Sequence, residues 1–331
     1  MSPTTMRTRA DDPGWGPDRL IEGYQSRTWV IEGAERADGE PQVDITATLV
    51  RRGEPCHGRA VLYIHGWNDY FFQTDLADFW ESIGFDFYAL DLRRYGRNLR
   101  RGLYAGYISS LRDYQAEIDE AFGLVLAEGH DRVTLSGHST GGLILSLWAA
   151  HTDFALNGLV LNSPWLDMNA RSSLMKTLTP LVKSMASVSP TTALQASGKQ
   201  FYARSISSAM DGEWDYDLDY KSNPAFVVRF GWGRAIMAGQ AKVASGLGIN
   251  TPILSMMSAS SQVDLAEWSS AAWENDIVLD VERLGAVSWR LGNHVTIIRI
   301  PGALHDMILS PEPVRTEVYE EMRRWVAAYV D

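Results

Sequence analysis

The stretch Thr134 to Gly142, TLSGHSTGG, follows Asp131-Arg132-Val133 and runs directly into LILSLWAA, Leu143 to Ala150. A short strand-like run gives way at Ser139 to a helical one, and glycines stand two residues to either side, at Gly137 and Gly141. This is G-x-S-x-G in the strand-to-helix context that gives the motif its meaning. Such a corner needs glycines because side chains at the flanking positions would strike the adjoining strand and helix. The strained turn lifts the hydroxyl above the sheet edge, and the N–H of Thr140, at the helix start, is then available to a developing oxyanion.

The segments around this corner read as an α/β domain. YQSRTWVIEG and VDITATLVRR flank AERADGEP and form an antiparallel hairpin. RAVLYIHG is a continuous apolar run, as in strands covered on both faces. A helix over QTDLADFWESIG, a strand FDFYALDL, a helix over LRDYQAEIDEAFGLVLAEG and the strand DRVTLSG follow. After the helix GGLILSLWAAH comes the strand LNGLVLNS. Strands alternating with helices imply a mostly parallel, doubly wound sheet, with ligands at the carboxyl ends of its strands. The strand rhythm stops over residues 167–250, which read as a helical cap inserted into a core made of 21–166 and 251–331; residues 1–20 read as a disordered tail. Strand TPILSMMS, a long polar loop, helix VERLGAVSWRLG, strand HVTIIRIPG and a closing helix PVRTEVYEEMRRWVAAYV complete the core.

With 331 residues, 45% hydrophobic, the chain can bury a large single core. A formal net charge of −11 argues against a nucleic-acid partner, which needs a clustered basic surface. The single cysteine, Cys56, cannot form an internal disulfide or a zinc thiolate cluster, and it reads as a buried thiol. The N-terminus lacks the apolar core of a signal peptide, and no run is long enough to span a bilayer, so a cytoplasmic location without stable membrane insertion is expected. The oligomeric state is left open.

A serine hydroxyl needs a base, and the seven histidines can be sorted by position. His57 precedes its strand, His130 and His294 fall at strand starts, and His151 lies at the far end of the helix after Ser139. The adjacent His138 should point elsewhere. His65 and His305 remain at strand ends, and His305, in PGALHDM after the last strand, gives the chain order serine, acid, histidine. His65, in HGWND, shapes the turn that offers the N–H of Trp67 as a second oxyanion donor. The acid should lie in the loop after PILSMMS, which holds Asp264, Glu267, Glu274, Asp276 and Asp280. Asp276 is the choice, because NDIVLDVERL anchors it ahead of a helix start; Asp264 and Asp167 are the alternatives. Such an acid fixes the imidazole tautomer and stabilises the imidazolium.

On these residues the chain resembles the α/β-hydrolase superfamily, and within it the monoacylglycerol lipase, lysophospholipase and serine aminopeptidase S33-like group. YIHGWNDYFF, ALDLRRYGRN, LSGHSTGG, NDIVLDVERL and IPGALHDMILS carry the likeness. It implies Ser139 as nucleophile, Asp276 as acid, His305 as base and Trp67 with Thr140 as oxyanion donors, with no cofactor and no metal. Two features depart from the group: RRYGRN stands where a Gly-His-Gly turn is usual, and the loop before Asp276 is unusually long.

The expected activity is hydrolysis of a small-molecule acyl ester, such as a monoacylglycerol or lysophospholipid, with amide cleavage and ligand binding without turnover as competing readings. In the cap, Leu174, Leu178 and Met185 share a helical face that either shields an acyl chain or seats the cap on the core. EWDYDLDY either holds a substrate ammonium group or forms a solvated face. Arg93, Arg94, Arg97, Arg100 and Arg101 either attract an anionic head group or make surface ion pairs with the acidic excess.

Overall fold

A computed structural model of the protein describes residues 14–168, 184–194, 201–263 and 265–330. Nine strands form one mixed sheet: β1 (Gly16–Pro17), β2 (Tyr24–Val30), β3 (Thr46–Arg52), β4 (Arg59–Ile64), β5 (Phe85–Asp91), β6 (Arg132–His138), β7 (Gly158–Asn162), β8 (Ile253–Ser258) and β9 (Val295–Ile300). Their spatial order is β1-β2-β3-β5-β4-β6-β7-β8-β9. β1, β2, β3 and β5 are joined antiparallel, whereas every pair from β5 through β4 to β9 is parallel. The order turns back at β4, which lies between β5 and β6. In open sheets of this kind the crevice for a ligand lies at the carboxyl ends of the strands beside that reversal.

The period of two along β4 distributes its side chains between two cores. Leu62 and Ile64 join one apolar cluster, Val61 and Tyr63 the other. The first is closed by α2 (Gln115–Ala127), α3 (Thr140–Ala149), α5 (Phe230–Ser245) and α6 (Val281–Ser288), through residues such as Ile118, Phe122, Leu143, Trp232 and Leu284. The second is closed by α1 (Thr74–Ser82) and α7 (Glu312–Tyr329), through Leu76, Trp80, Val318, Met322 and Trp325. Coverage on both faces explains why RAVLYI carries no polar alternation.

β7 and β8 are neighbours in the sheet, so residues 163–252 form an insertion between them. Its described residues hold α4 (Phe201–Ile206) and α5, with isolated bridges at Ala193–Arg229 and Ser207–Trp214. Leu174 and Leu178 lie outside the described residues; residues 184–188 are helical, and Met185 among them is half-buried. No helix among the described residues is long and apolar enough to cross a membrane.

Three expectations are corrected. Residues 14–20, read as part of a disordered tail, are ordered: β1 pairs with β2, the Arg51 guanidinium lies 4.3 Å from the Trp15 ring centroid, and Asp18 pairs with Arg97. Cys56 is exposed, its N–H donating to Asp86 in the loop ahead of β4. Arg93, Arg94 and Arg97 are buried, not superficial. Arg93 pairs with Glu117 on α2, Arg94 with Glu40, and Arg97 with both Asp18 at 2.7 Å and Asp91 at 2.9 Å. Their partners lie 24, 54, 79 and 6 residues away in the chain. The run that looked like a basic surface therefore seals the loop after β5 to three other parts of the fold.

Candidate active site

β6 ends at His138, and Ser139 turns the chain into α3 with φ +50° and ψ −114°. The corner is bonded from both sides by the end of β7 and the segment after it: Ser139 N–H donates to Asn162 O at 3.0 Å, and Trp165 N–H donates to Ser139 O at 3.0 Å. Gly141 has no room for a side chain, because a Cβ there would lie 2.3 Å from His65 O and 2.4 Å from Ile64 O. Gly66 is also crowded, its hypothetical Cβ 2.8 Å from the His138 ring and 3.3 Å from Ser139 Cβ. The turn after β4 thus presses directly against Ser139. Trp67 follows in that turn, and Thr140 is the first residue of α3, where a helix supplies no carbonyl partner for the N–H.

His305 follows β9, and its imidazole bridges two of the expected residues. Nε2 lies 3.0 Å from Ser139 Oγ, and Nδ1 lies 2.9 Å from Asp276 Oδ2. An ionised carboxylate can only accept, so Nδ1 carries the hydrogen and Nε2 is left to accept from the serine hydroxyl. Asp276 is fully buried, and its other oxygen accepts from the N–H groups of Val278 at 2.8 Å and Leu279 at 2.7 Å. The long loop after β8 folds back on itself: Asp276 N–H donates to Ser260 O, and Ser261 bridges Asp276. The carboxylate consequently sits beside the end of β8 even though 16 residues separate it from Ala259. Of the alternatives, Asp167 pairs instead with Arg283 at 2.9 Å, and Asp264 lies outside the described residues.

His65 is buried under this turn, with Nδ1 2.8 Å from Gly66 O and Nε2 accepting from Leu92 N–H at 3.2 Å. His138 does not point away from the site, as expected from its adjacency to Ser139, but packs its ring 4.9 Å from that of His305. Burial, reinforced by the neighbouring His305, pushes its pKa well below the usual imidazole value, so His138 is neutral at physiological pH.

Beneath these two rings lies a cluster that sequence reasoning missed. Lys221 Nζ, from the insertion, donates to Asp69 Oδ1 at 2.7 Å, and Asn162 donates to Asp306 Oδ1 at 2.6 Å. Donor atoms of Asp69, His138 and Asp306 lie within 4.8 Å of one another, all buried. Burial pushes the Asp306 carboxyl above its ordinary value, an effect that Lys221 and Asn162 only partly offset. Lys221 supplies the positive charge that two buried carboxylates require. Next to it, the Asn68 side chain donates to Ser222 O at 2.9 Å and accepts from Ser222 Oγ at 3.0 Å and Phe226 N–H at 3.3 Å. The turn bearing Trp67 is thereby tied to residues 221–226 of the insertion. No local pattern in WNDY or YKSN signals this, since the partners are about 150 residues apart.

Ser139 opens into a cavity of about 300 Å³ walled by Trp67, Trp165, Met168, Leu194, Val228, Trp232, Ile236, Val278 and Leu279, among others. The Trp67 and Trp232 ring centroids are 4.0 Å apart. No charged side chain is among the described lining residues, and neither is Met185. The acidic residues of EWDYDLDY are exposed, with Trp214, Tyr216 and Tyr220 half-buried between them.

Comparison with known proteins agrees with this architecture. A family described as serine aminopeptidase, S33, matches residues 55–312. No curated protein sequence matches the chain. Among solved structures, the monoacylglycerol lipase of Paleococcus ferrophilus superposes with a TM-score of 0.62 at 20% identity, over 85% of this chain and 98% of that one. A soluble variant of monoglyceride lipase from Saccharomyces cerevisiae, in complex with a substrate analog, gives 0.63 at 16% identity, over 91% and 99%. A highly thermostable carboxyl esterase from Bacillus coagulans, in complex with glycerol, gives 0.60 at 14%, over 94% and 100%.

Proposed function

The chain belongs to the serine aminopeptidase S33 family and has the α/β-hydrolase fold, and from that premise we propose that it is a serine hydrolase cleaving carboxylic esters through an acyl-enzyme. The observation that carries this reading is the unbroken chain from Ser139 Oγ through His305 to Asp276. His305 Nε2 takes the proton as Ser139 Oγ attacks the carbonyl carbon, and Asp276 stabilises the imidazolium that forms. The carbonyl oxygen, now an anion, is received by the N–H groups of Thr140 and Trp67; loss of one such donor costs about 3 to 4 kcal/mol. The tetrahedral species collapses as His305 returns its proton to the leaving alkoxide, and the alcohol departs. Water, deprotonated by the same imidazole, then attacks the ester on Ser139 and frees the carboxylic acid.

The apolar wall beside Ser139 favours an acyl chain over a charged substrate end, because an ammonium group would lie there without a partner. Monoacylglycerols and lysophospholipids fit this reading, with residues 167–250 acting as the cap over the acyl chain. The family's own description favours a second reading, cleavage of aminoacyl amides; the exposed carboxylates of residues 211–219 would then have to turn toward the substrate. A ligand receptor without turnover has no need of the complete proton relay. p-Nitrophenyl esters of acetate through laurate, assayed beside aminoacyl p-nitroanilides, separate these readings. The ester reading expects burst release of p-nitrophenol, preference for medium chains and silence in Ser139→Ala. Preference for the anilides, or no turnover of either class, contradicts it.

A further inference from the structure

A second cavity, of about 590 Å³, is lined from α2, α3, α5 and the short helical turn Leu111–Tyr114. None of its described lining residues is shared with the cavity at Ser139. Its floor is apolar: Ile144, Leu147 and Trp148, at spacings of three and four, present one face of α3. Its rim is cationic. Arg234, Ala238 and Lys242 recur every fourth residue along α5, so the two charges stand on one stripe about 12 Å apart. Arg112 faces them from the turn at Leu111–Tyr114, with His151 beyond the end of α3.

This arrangement is unusual for the molecule. The chain carries a net charge of −11, yet no carboxylate is among the described lining residues of this cavity. Among the described residues, none of Arg112, Arg234 and Lys242 makes an ion pair. Of the acids around it, Glu35 accepts from Ser109 and Asp119 accepts from Trp148 Nε1 at 2.7 Å and from Gln115, while Asp113, next to Arg112 in the chain, interacts electrostatically with both Arg93 and Arg112. Three like charges around an apolar trough repel one another and leave that trough wet, unless an anion with an apolar body fills it.

We propose that this cavity binds a single-chain amphiphile with an anionic head, the chain along Ile144, Leu147 and Trp148 and the head among Arg112, Arg234 and Lys242. Its volume lies within the range of small-molecule sites. The head is a carboxylate, as in a free fatty acid, or a phosphate, as in a lysophospholipid without a cationic group. The proposal does not depend on the chemistry assigned to Ser139.

Binding of 11-(dansylamino)undecanoate, followed by fluorescence below its micellar concentration, tests this, with laurate, dodecyl phosphate, dodecanol and dodecyltrimethylammonium as competitors. Laurate or dodecyl phosphate should displace the probe, and the better of the two identifies the head. The neutral and cationic competitors should be at least about tenfold weaker. The Arg112→Ala/Arg234→Ala/Lys242→Ala variant should lose about tenfold or more in probe affinity, and Ala238→Trp, which fills the trough, should lose it as well. Leu194→Trp, which obstructs the cavity at Ser139 instead, should retain it, and melting curves establish that each variant is folded. Equal displacement by dodecanol, undiminished binding in the folded triple variant, or loss of binding only in Leu194→Trp would overturn the proposal.

Discussion

Ser139 is held at φ +50°, a left-handed conformation that an L residue adopts at a cost of about 1–3 kcal/mol, and the bonds to Asn162 and Trp165 hold it there. Relief of that strain is measurable. Ser139→Gly should melt higher than Ser139→Ala by the equivalent of about 1 kcal/mol, with neither variant turning over substrate; equal melting temperatures would show that the corner is unstrained. Asp276→Asn should lower kcat by roughly 10⁴ by permitting the wrong imidazole tautomer. Asp167→Asn, which loses only a half-exposed pair with Arg283, should leave kcat within a factor of about two. At this scale much of the candidate site's geometry is legible in sequence. Ser139 is marked by its glycines and His305 by its position after the last strand, because a strained corner and a strand end restrict local composition. Asp276 is legible only as one of several loop carboxylates, since its placement depends on the bridge to Ser261. His138 is misread because adjacency to Ser139 says nothing of the space beneath His305.

Elements meet at the site through contacts that no local pattern encodes. The turn after β4 and the segment 221–226 of the insertion are joined by Lys221–Asp69 and by the Asn68 side chain, directly beside Trp67. Lys221→Met would leave Asp69 buried and unpaired, at a cost of about 3–5 kcal/mol. In the Lys221→Met/Asp69→Asn double variant part of that loss should return, because of the two carboxylates that Lys221 offsets only Asp306 is left. Urea denaturation of the two single variants and the double variant measures the coupling, and additive losses would mean that the pair does not interact. The hairpin, the buried strand β4 and the crossover helices follow from periodicity, which is a property of each element alone. The burial of Arg93, Arg94 and Arg97 depends on Glu117, Glu40 and Asp18 arriving from elsewhere, and a run of arginines read by itself resembles a surface.

Across the whole molecule, the antiparallel edge is clamped to the parallel sheet by the Arg94–Glu40 and Arg97–Asp18 pairs. Burial alone would raise both carboxyls, but their bonds to the arginines outweigh it and hold each pKa below its ordinary value. A carboxyl depressed on folding contributes stability in full above its unfolded pKa, about 4.3 for a glutamate, and loses it as pH falls through the folded value. Glu40→Gln should therefore melt well below the unaltered protein at pH 7, with a gap that narrows only below about pH 4.3. A gap of constant size down to pH 3 would mean that folding leaves the Glu40 carboxyl pKa unshifted. Sheet, helices and clamps together serve one arrangement at the carboxyl ends of β4, β6, β8 and β9, and labelling with an alkyl fluorophosphonate tests it most directly. Intact mass and peptide mapping should find one adduct, on Ser139, absent from Ser139→Ala and formed orders of magnitude more slowly in His305→Ala. An adduct on another residue, or equal labelling rates with and without the His305 imidazole, would contradict the account.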